Sequence, residues 1–158
     1  MRPLIVLFFV FAVFGCGKES VPDKVIPVAG DDPRMNAAID KARATVKTFI
    51  DALQSPKPGQ QGFSVKVVFT DGDNDEHMWL LPVRYDGKKF RGTVNNAPQT
   101  VKNIKMGQRV TVEPSKISDW MFVENGKLVG GHTVRVLRDA MTPADRAEFD
   151  KTAEFIIE

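Results

Sequence analysis

Between Ile117 and Thr133 the chain sets an apolar run, Trp120-Met121-Phe122-Val123, against a second one, Leu128-Val129, with Asn125-Gly126 between them. Asn-Gly between apolar runs is the strongest short-range signal for a β-hairpin, because both central residues of the favoured turn need positive φ. Asp119-Trp120 puts a carboxylate beside the largest aromatic just where the first strand should begin. Such a pair is either a structural corner or the rim of a binding site. Gly130-Gly131 closes the second run, and His132-Thr133 follows at once.

With 158 residues, the chain has room for one domain plus appendages. Apolar residues make up 42%, enough for an ordinary core. Lys and Arg are scattered and the net charge is only +2, so no basic footprint for nucleic acid is visible. The single cysteine, Cys16, excludes an intramolecular disulfide and a cysteine-rich metal site.

Leu4 to Phe14 is an unbroken apolar run behind a weakly basic start. It is too short for a helix to cross ~30 Å of hydrocarbon but has the length of a secretory leader. Val13-Phe14-Gly15-Cys16 resembles the bacterial lipobox, although Phe14 is bulkier than usual before the glycine. The resemblance implies cleavage after Gly15 and acylation of Cys16. The expected organisation is therefore a signal peptide (1–15), a tether (16–30) and a single domain (31–158). Lys18, where an Asp would favour the inner membrane, implies an outer-membrane anchor facing the periplasm. Several acyl chains anchor stably where one binds only reversibly.

Within the domain, Asp31-Asp32-Pro33 reads as a helix start, and apolar residues from Met35 to Leu53 recur at helical spacing. Pro56 and Pro58 end that helix. Phe63, Val65, Val67 and Phe69 alternate with Ser64, Lys66, Val68 and Thr70, predicting a strand with one buried face. Asp71 to Glu76 starts like a calcium loop, but Glu76 stands where the loop's glycine belongs and Pro82 where its bidentate Glu belongs, leaving a solvated turn. His77 to Tyr85 is the next strand, with Trp79, Leu81 and Val83 on one face and Met78 and Leu80 on the other. Pro82 marks an edge or a bulge in it. Phe90–Val94 and Arg109–Glu113 are strands joined by a buried connection through Val101, Ile104 and Met106. Thr133–Leu137 leans to helix. A final helix starts at Thr142-Pro143 and carries Ala147, Phe149, Ala153 and Phe155 on its apolar side. The fold class is α+β: an N-terminal amphipathic helix packed on a bent antiparallel sheet, with a C-terminal helix.

Three stretches read in order are Glu76-His77-Met78-Trp79-Leu80, Phe90-Arg91-Gly92-Thr93-Val94-Asn95-Asn96, and Ile117 to Met121 with Gly126 to Thr133. Together they resemble the YegJ-like family, catalogued as domain of unknown function 2314, over about residues 62–141. That family's pattern has an aromatic before the threonine where this chain has His132. The resemblance implies a fold and no established activity, and the contexts of some members favour protein interaction.

Glu76, His77, Asp119 and His132 are the residues with chemistry to offer. They lack the spacing of a metal site, such as two His one helical turn apart, so no metal, cofactor or catalytic residue is assigned. Glu76 and Asp119 are expected to accept backbone N–H groups at strand starts. Trp79 and Trp120 are expected at the core or its rim, with Asp119 or Asn95 as indole partners. Glu76, His77, Trp79, Asn95, Asp119, Trp120 and His132 thus form the candidate recognition or structural motif, and Cys16 the lipidation site. The expected function is that of a non-enzymatic periplasmic module, held at the membrane by its lipid and binding an envelope protein or cell-wall component. The alternative is a hydrolase-like or metal-dependent envelope enzyme using His77, Glu76, Asp119 and His132, which requires the four to converge in one pocket.

Overall fold

A computed structural model describes residues 3–7, 25–29 and 32–158. Cys16, the lipobox cleavage point and Lys18 lie outside the described residues. Strands β1 (Pro3–Leu7) and β2 (Val25–Ala29) pair antiparallel. Both stretches are extended. Val25, Ile26 and Val28 favour a strand, and Pro27 is tolerated because β2 lies at the sheet edge.

Helix α1 (Pro33–Gln54) begins where expected: Asp32 caps it by accepting the Arg34 N–H at 2.8 Å, and Pro33 occupies the first turn. It buries Met35, Ala38, Ile39, Ala42 and Phe49. Strands β3 (Gln60–Asp71), β4 (Asn74–Tyr85), β5 (Phe90–Val94), β6 (Arg109–Val112), β7 (Ile117–Glu124) and β8 (Lys127–Gly130) are antiparallel wherever they pair with one another. Their spatial order is β6-β5-β4-β3-β7-β8. The first part of β4 also lies parallel to β1, at Glu76 and His77. A single 3₁₀ turn (Pro114–Lys116) joins β6 to β7. Helices α2 (His132–Ala140) and α3 (Pro143–Thr152) close the domain, so Thr133–Leu137 is helical as the sequence leans.

The sheet bends at breaks in register. On the β3–β7 pair, Lys66 faces Asp119 and Val67 faces Ile117, which leaves Ser118 as the extra residue of a bulge. A second break between Leu80 and Val83 surrounds Pro82. It shifts the alternation, so Val83 joins Met78 and Leu80 in the core under α1 and does not share the Trp79 face as the sequence suggests. Gly92 meets this bulge closely: an added Cβ there would stand 2.8 Å from Leu80 Cβ.

Both faces of the sheet are covered at β3, β7 and the first part of β4. One packs on α1, with Phe49 among Phe63, Phe90 and Trp120. The other packs on α2 and α3, through Trp79, Met121, Val123, Leu128, Val134, Leu137 and Phe149. Consequently Ser64 and Lys66, which the alternation assigns to solvent, are each only 1% exposed. Two further expectations are corrected. Met106 is exposed while Val101 and Ile104 are buried. Helix α3 stops at Thr152, so Phe155 reaches the core from an extended tail that bridges to Lys127.

Candidate functional site

A buried polar seam runs between β3, β7 and the start of α2, and Asp119 is its hub. Its carboxylate accepts the backbone N–H groups of Trp120 (2.8 Å), His132 (3.0 Å) and Thr133 (2.8 Å), and the Thr133 hydroxyl (2.6 Å). The residue before α2, Gly131, has no side chain to cap the helix. Asp119 therefore supplies from β7 the acceptor that a capping side chain would give, at the end where backbone N–H groups are unpaired and the helix dipole favours negative charge. The double glycine permits this approach. Gly130 has φ +74°, and a Cβ on it would stand 2.3 Å from the Trp120 carbonyl oxygen.

Beside Asp119 lies Lys66, whose ammonium donates to the Thr133 hydroxyl at 2.9 Å and sits 4.8 Å from the centre of the Trp79 ring. Burial lowers the Lys66 pKa to about 8, against the opposing pull of the Asp119 charge. His77 Nδ1 stands 2.7 Å from the hydroxyl of Ser118, the bulge residue. Burial, reinforced by the Lys66 charge, pushes His77 down to about 4, so it is neutral at pH 7. The Ser118 hydroxyl also lies 3.4 Å from the Lys66 carbonyl oxygen. This serine and histidine make a buried link between β4, β7 and β3.

Glu76 precedes His77 on β4, so the two side chains point to opposite sides of the strand. Its carboxylate accepts the N–H groups of Gln99, Thr100 and Val101 and the Thr100 hydroxyl, pinning the loop after β5. The turn before it reverses within Gly72-Asp73. There Asp75 accepts the Thr70 hydroxyl across the hairpin, and Asp71 accepts the Lys102 N–H of the loop after β5. Asn95 contributes its backbone N–H to the Trp79 carbonyl, while the neighbouring Asn96 accepts the Trp79 N–H with its side chain. Trp120 directs its indole N–H at the Ala42 carbonyl of α1, at 2.9 Å, and not at Asp119 or Asn95. His132 stacks edge-on against Trp120, with Nε2 3.4 Å from the Thr45 hydroxyl, and burial lowers its pKa.

The four residues of the alternative enzyme reading thus divide. His77 and Asp119 share the seam, but Glu76 serves the loop on the opposite side of β4, and the His132 ring lies against Trp120 and α1. Among the described residues, no group of three or more His, Cys, Asp and Glu side chains is placed to hold a metal ion. Lys66, Ser118, Thr133 and Asn96 escape the sequence reading. The signal for Lys66 is that β4 is apolar on both faces, which demands a second covering layer over the neighbouring strand.

The outer side of β4–β5–β6 carries a different constellation. Arg84 faces Arg91 directly across β4–β5; Arg91 faces Thr111, and Thr93 faces Arg109, across β5–β6. These side chains, with Pro82, Gly92 and Val110, line an open groove of about 430 Å³. Arg91 pairs with Asp86 at 2.9 Å. Arg84 and Arg109 have no ion-pair partner among the described residues. The sequence signal is period two: these residues alternate with the core-facing Phe90, Val94, Val110 and Val112.

Comparison with known proteins places residues 32–155 in a family described as an uncharacterised protein conserved in bacteria, DUF2314. The uncharacterised protein YegJ of Escherichia coli K12 is 34% identical over 131 residues, which cover 83% of this chain and 82% of YegJ. A putative ankyrin repeat protein of Neisseria meningitidis serogroup B is 38% identical over 128 residues, covering 76% of this chain but only 50% of that protein. No solved structure matches. The chain is a member of this bacterial DUF2314 family.

Proposed function

We propose that the protein is a non-enzymatic binding module of the bacterial envelope, anchored through an acylated Cys16 at the outer membrane and facing the periplasm. The observation that carries the binding half is how the polar side chains are used. Glu76 and Asp119 each take donors from both N–H groups and a hydroxyl, and His77 is engaged with Ser118 inside the fold. The residues with acid–base chemistry are spent on holding loops and α2, while the arginine groove is open to a partner. The anchoring half rests on the lipobox resemblance at Val13-Phe14-Gly15-Cys16.

Two measurements test it. In cells of the native host, labelled palmitate should enter the wild type and not Cys16→Ser, and the wild type should sediment with the outer membrane. A photo-cross-linking residue at position 111, in the groove, should give envelope adducts that the same residue at position 148, exposed on α3, does not. Palmitate entering the Ser variant, a soluble wild type, or equal adducts from both positions would overturn the reading.

A further inference from the structure

We propose that the groove on the outer side of β5 is a phosphate-binding site, with Arg84, Arg91 and Arg109 as its cations and Thr93 and Thr111 as its neutral donors. The proposal rests on the binding-module reading and names its ligand class.

Directly opposed positions on neighbouring antiparallel strands have Cα atoms ~4.5–5.5 Å apart, and like charges at such positions destabilise a sheet. Arg84 and Arg91 occupy such a pair, and Arg109 lies diagonally beyond on the third strand. The local carboxylates fall short of neutralising them. Asp86 is held by Arg91, and Glu113 is committed to Lys89 at 2.8 Å. A fold that needed only solubility here would set acids among these charges, as Asp51 is set beside Lys47 on α1. Concentrating them over one concavity has a use when an anion sits between them.

The donor set selects phosphate. Each guanidinium offers a planar fork of N–H donors that matches phosphate or carboxylate oxygens two at a time. The two forks of Arg84 and Arg109 that are unpaired among the described residues, the donors of Arg91 left over from Asp86 and two hydroxyls exceed what the two oxygens of a carboxylate accept, whereas a phosphate monoester presents three free oxygens. Gly92, with no side chain, and Val110 make a shallow floor between the donors. At about 430 Å³ the groove holds a phosphate together with part of the group that carries it. That group is either a lipid headgroup or a soluble phosphate compound.

The test uses the full chain in nanodiscs of phosphatidylcholine, with inorganic phosphate as the probe and the amide resonances of Gly92, Thr93, Val110 and Thr111 as the readout. Saturable shifts are expected in the wild type. Arg84→Gln and Arg109→Gln should each weaken binding by ~tenfold or more, as loss of a charged hydrogen bond requires. Arg84→Gln should also unfold at the same or higher denaturant concentration, because it relieves repulsion. If the natural source is a lipid, discs containing phosphatidic acid, a phosphomonoester, should produce the same shifts with no phosphate added. If it is soluble, those discs should leave the resonances in place. No saturable shift with either probe, or equal affinity in the wild type and both variants, overturns the proposal. Groove-specific envelope adducts from position 111 alongside that result would leave the binding-module reading standing and reject phosphate alone.

Discussion

Replacing Asp119 with alanine should remove the joint that fixes α2 to the sheet. Three backbone N–H groups and one hydroxyl lose their acceptor. The His132 N–H is only partly buried and can turn to water, and the Thr133 hydroxyl can rotate. The buried Trp120 and Thr133 N–H groups have neither escape. At about 1–3 kcal/mol for each unsatisfied buried group, the loss is about 2–6 kcal/mol. Lys66 also loses the negative charge that opposes its desolvation. A domain stable by about 5–15 kcal/mol would be brought near its unfolding threshold. Asp119→Asn keeps one acceptor oxygen and turns an amide N–H₂ toward other donors, so about 1–3 kcal/mol is expected. Urea unfolding of the full chain gives both midpoints, read with the slope held equal to that of the wild type. Hydrogen exchange in the Asn variant should accelerate first at His132 and Thr133, because the start of α2 opens locally. Wild-type midpoints in both variants would refute the capping role. That result is instead what a strained catalytic carboxylate would give, since such residues are often held at a cost to stability.

Phe49→Ala should cost ~3–5 kcal/mol in the same assay, because Phe49 is fully buried among three aromatic rings; an unchanged midpoint would reject the packing of α1 on the sheet. Gly130→Ala should lose more than ~1 kcal/mol through its left-handed φ and the approach to the Trp120 carbonyl, and a neutral result would show that α2 can move outward. His77 gives a pH dependence. Its folded pKa of about 4 lies below the ordinary 6.5, so as pH falls below 6.5 the unfolded chain takes up the proton first and stability drops until about pH 4. At 1.36 kcal/mol per pH unit, the wild type should lose about 3 kcal/mol relative to His77→Gln across that window, measured from unfolding midpoints at several pH values; a constant difference would contradict its burial as the neutral form.

Much of the frame is legible from local chemistry. Asp32-Pro33 starts α1, Asn125-Gly126 turns β7 into β8, and Pro82 marks the β4 bulge, because each depends on a few neighbouring residues. What escapes is set by distant elements. Lys66 occupies the polar row of a half-buried strand until α2 covers it, and the spacing within β3 carries no trace of a helix that begins at His132. The bulge at Ser118 likewise depends on pairing with β3, yet it brings Ser118 to His77. Asp119 is recognisable as an acceptor at a strand start, but two of the backbone donors it serves lie on α2, beyond the hairpin. The arginine groove is legible by alternation on β5 and β6. Arg84 joins it only because β4 pairs with β5 in the register that the bulge sets.

Photo-cross-linking from position 111 in living cells, compared between Arg84→Gln and His77→Gln chains of equal abundance, separates scaffold from working surface most directly. The adduct yield should fall with Arg84→Gln, which alters only the groove, and should persist with His77→Gln, which alters only the buried seam. Loss of the adduct in His77→Gln with the fold intact, together with full yield in Arg84→Gln, would contradict the division of roles and return the buried histidine to the functional site.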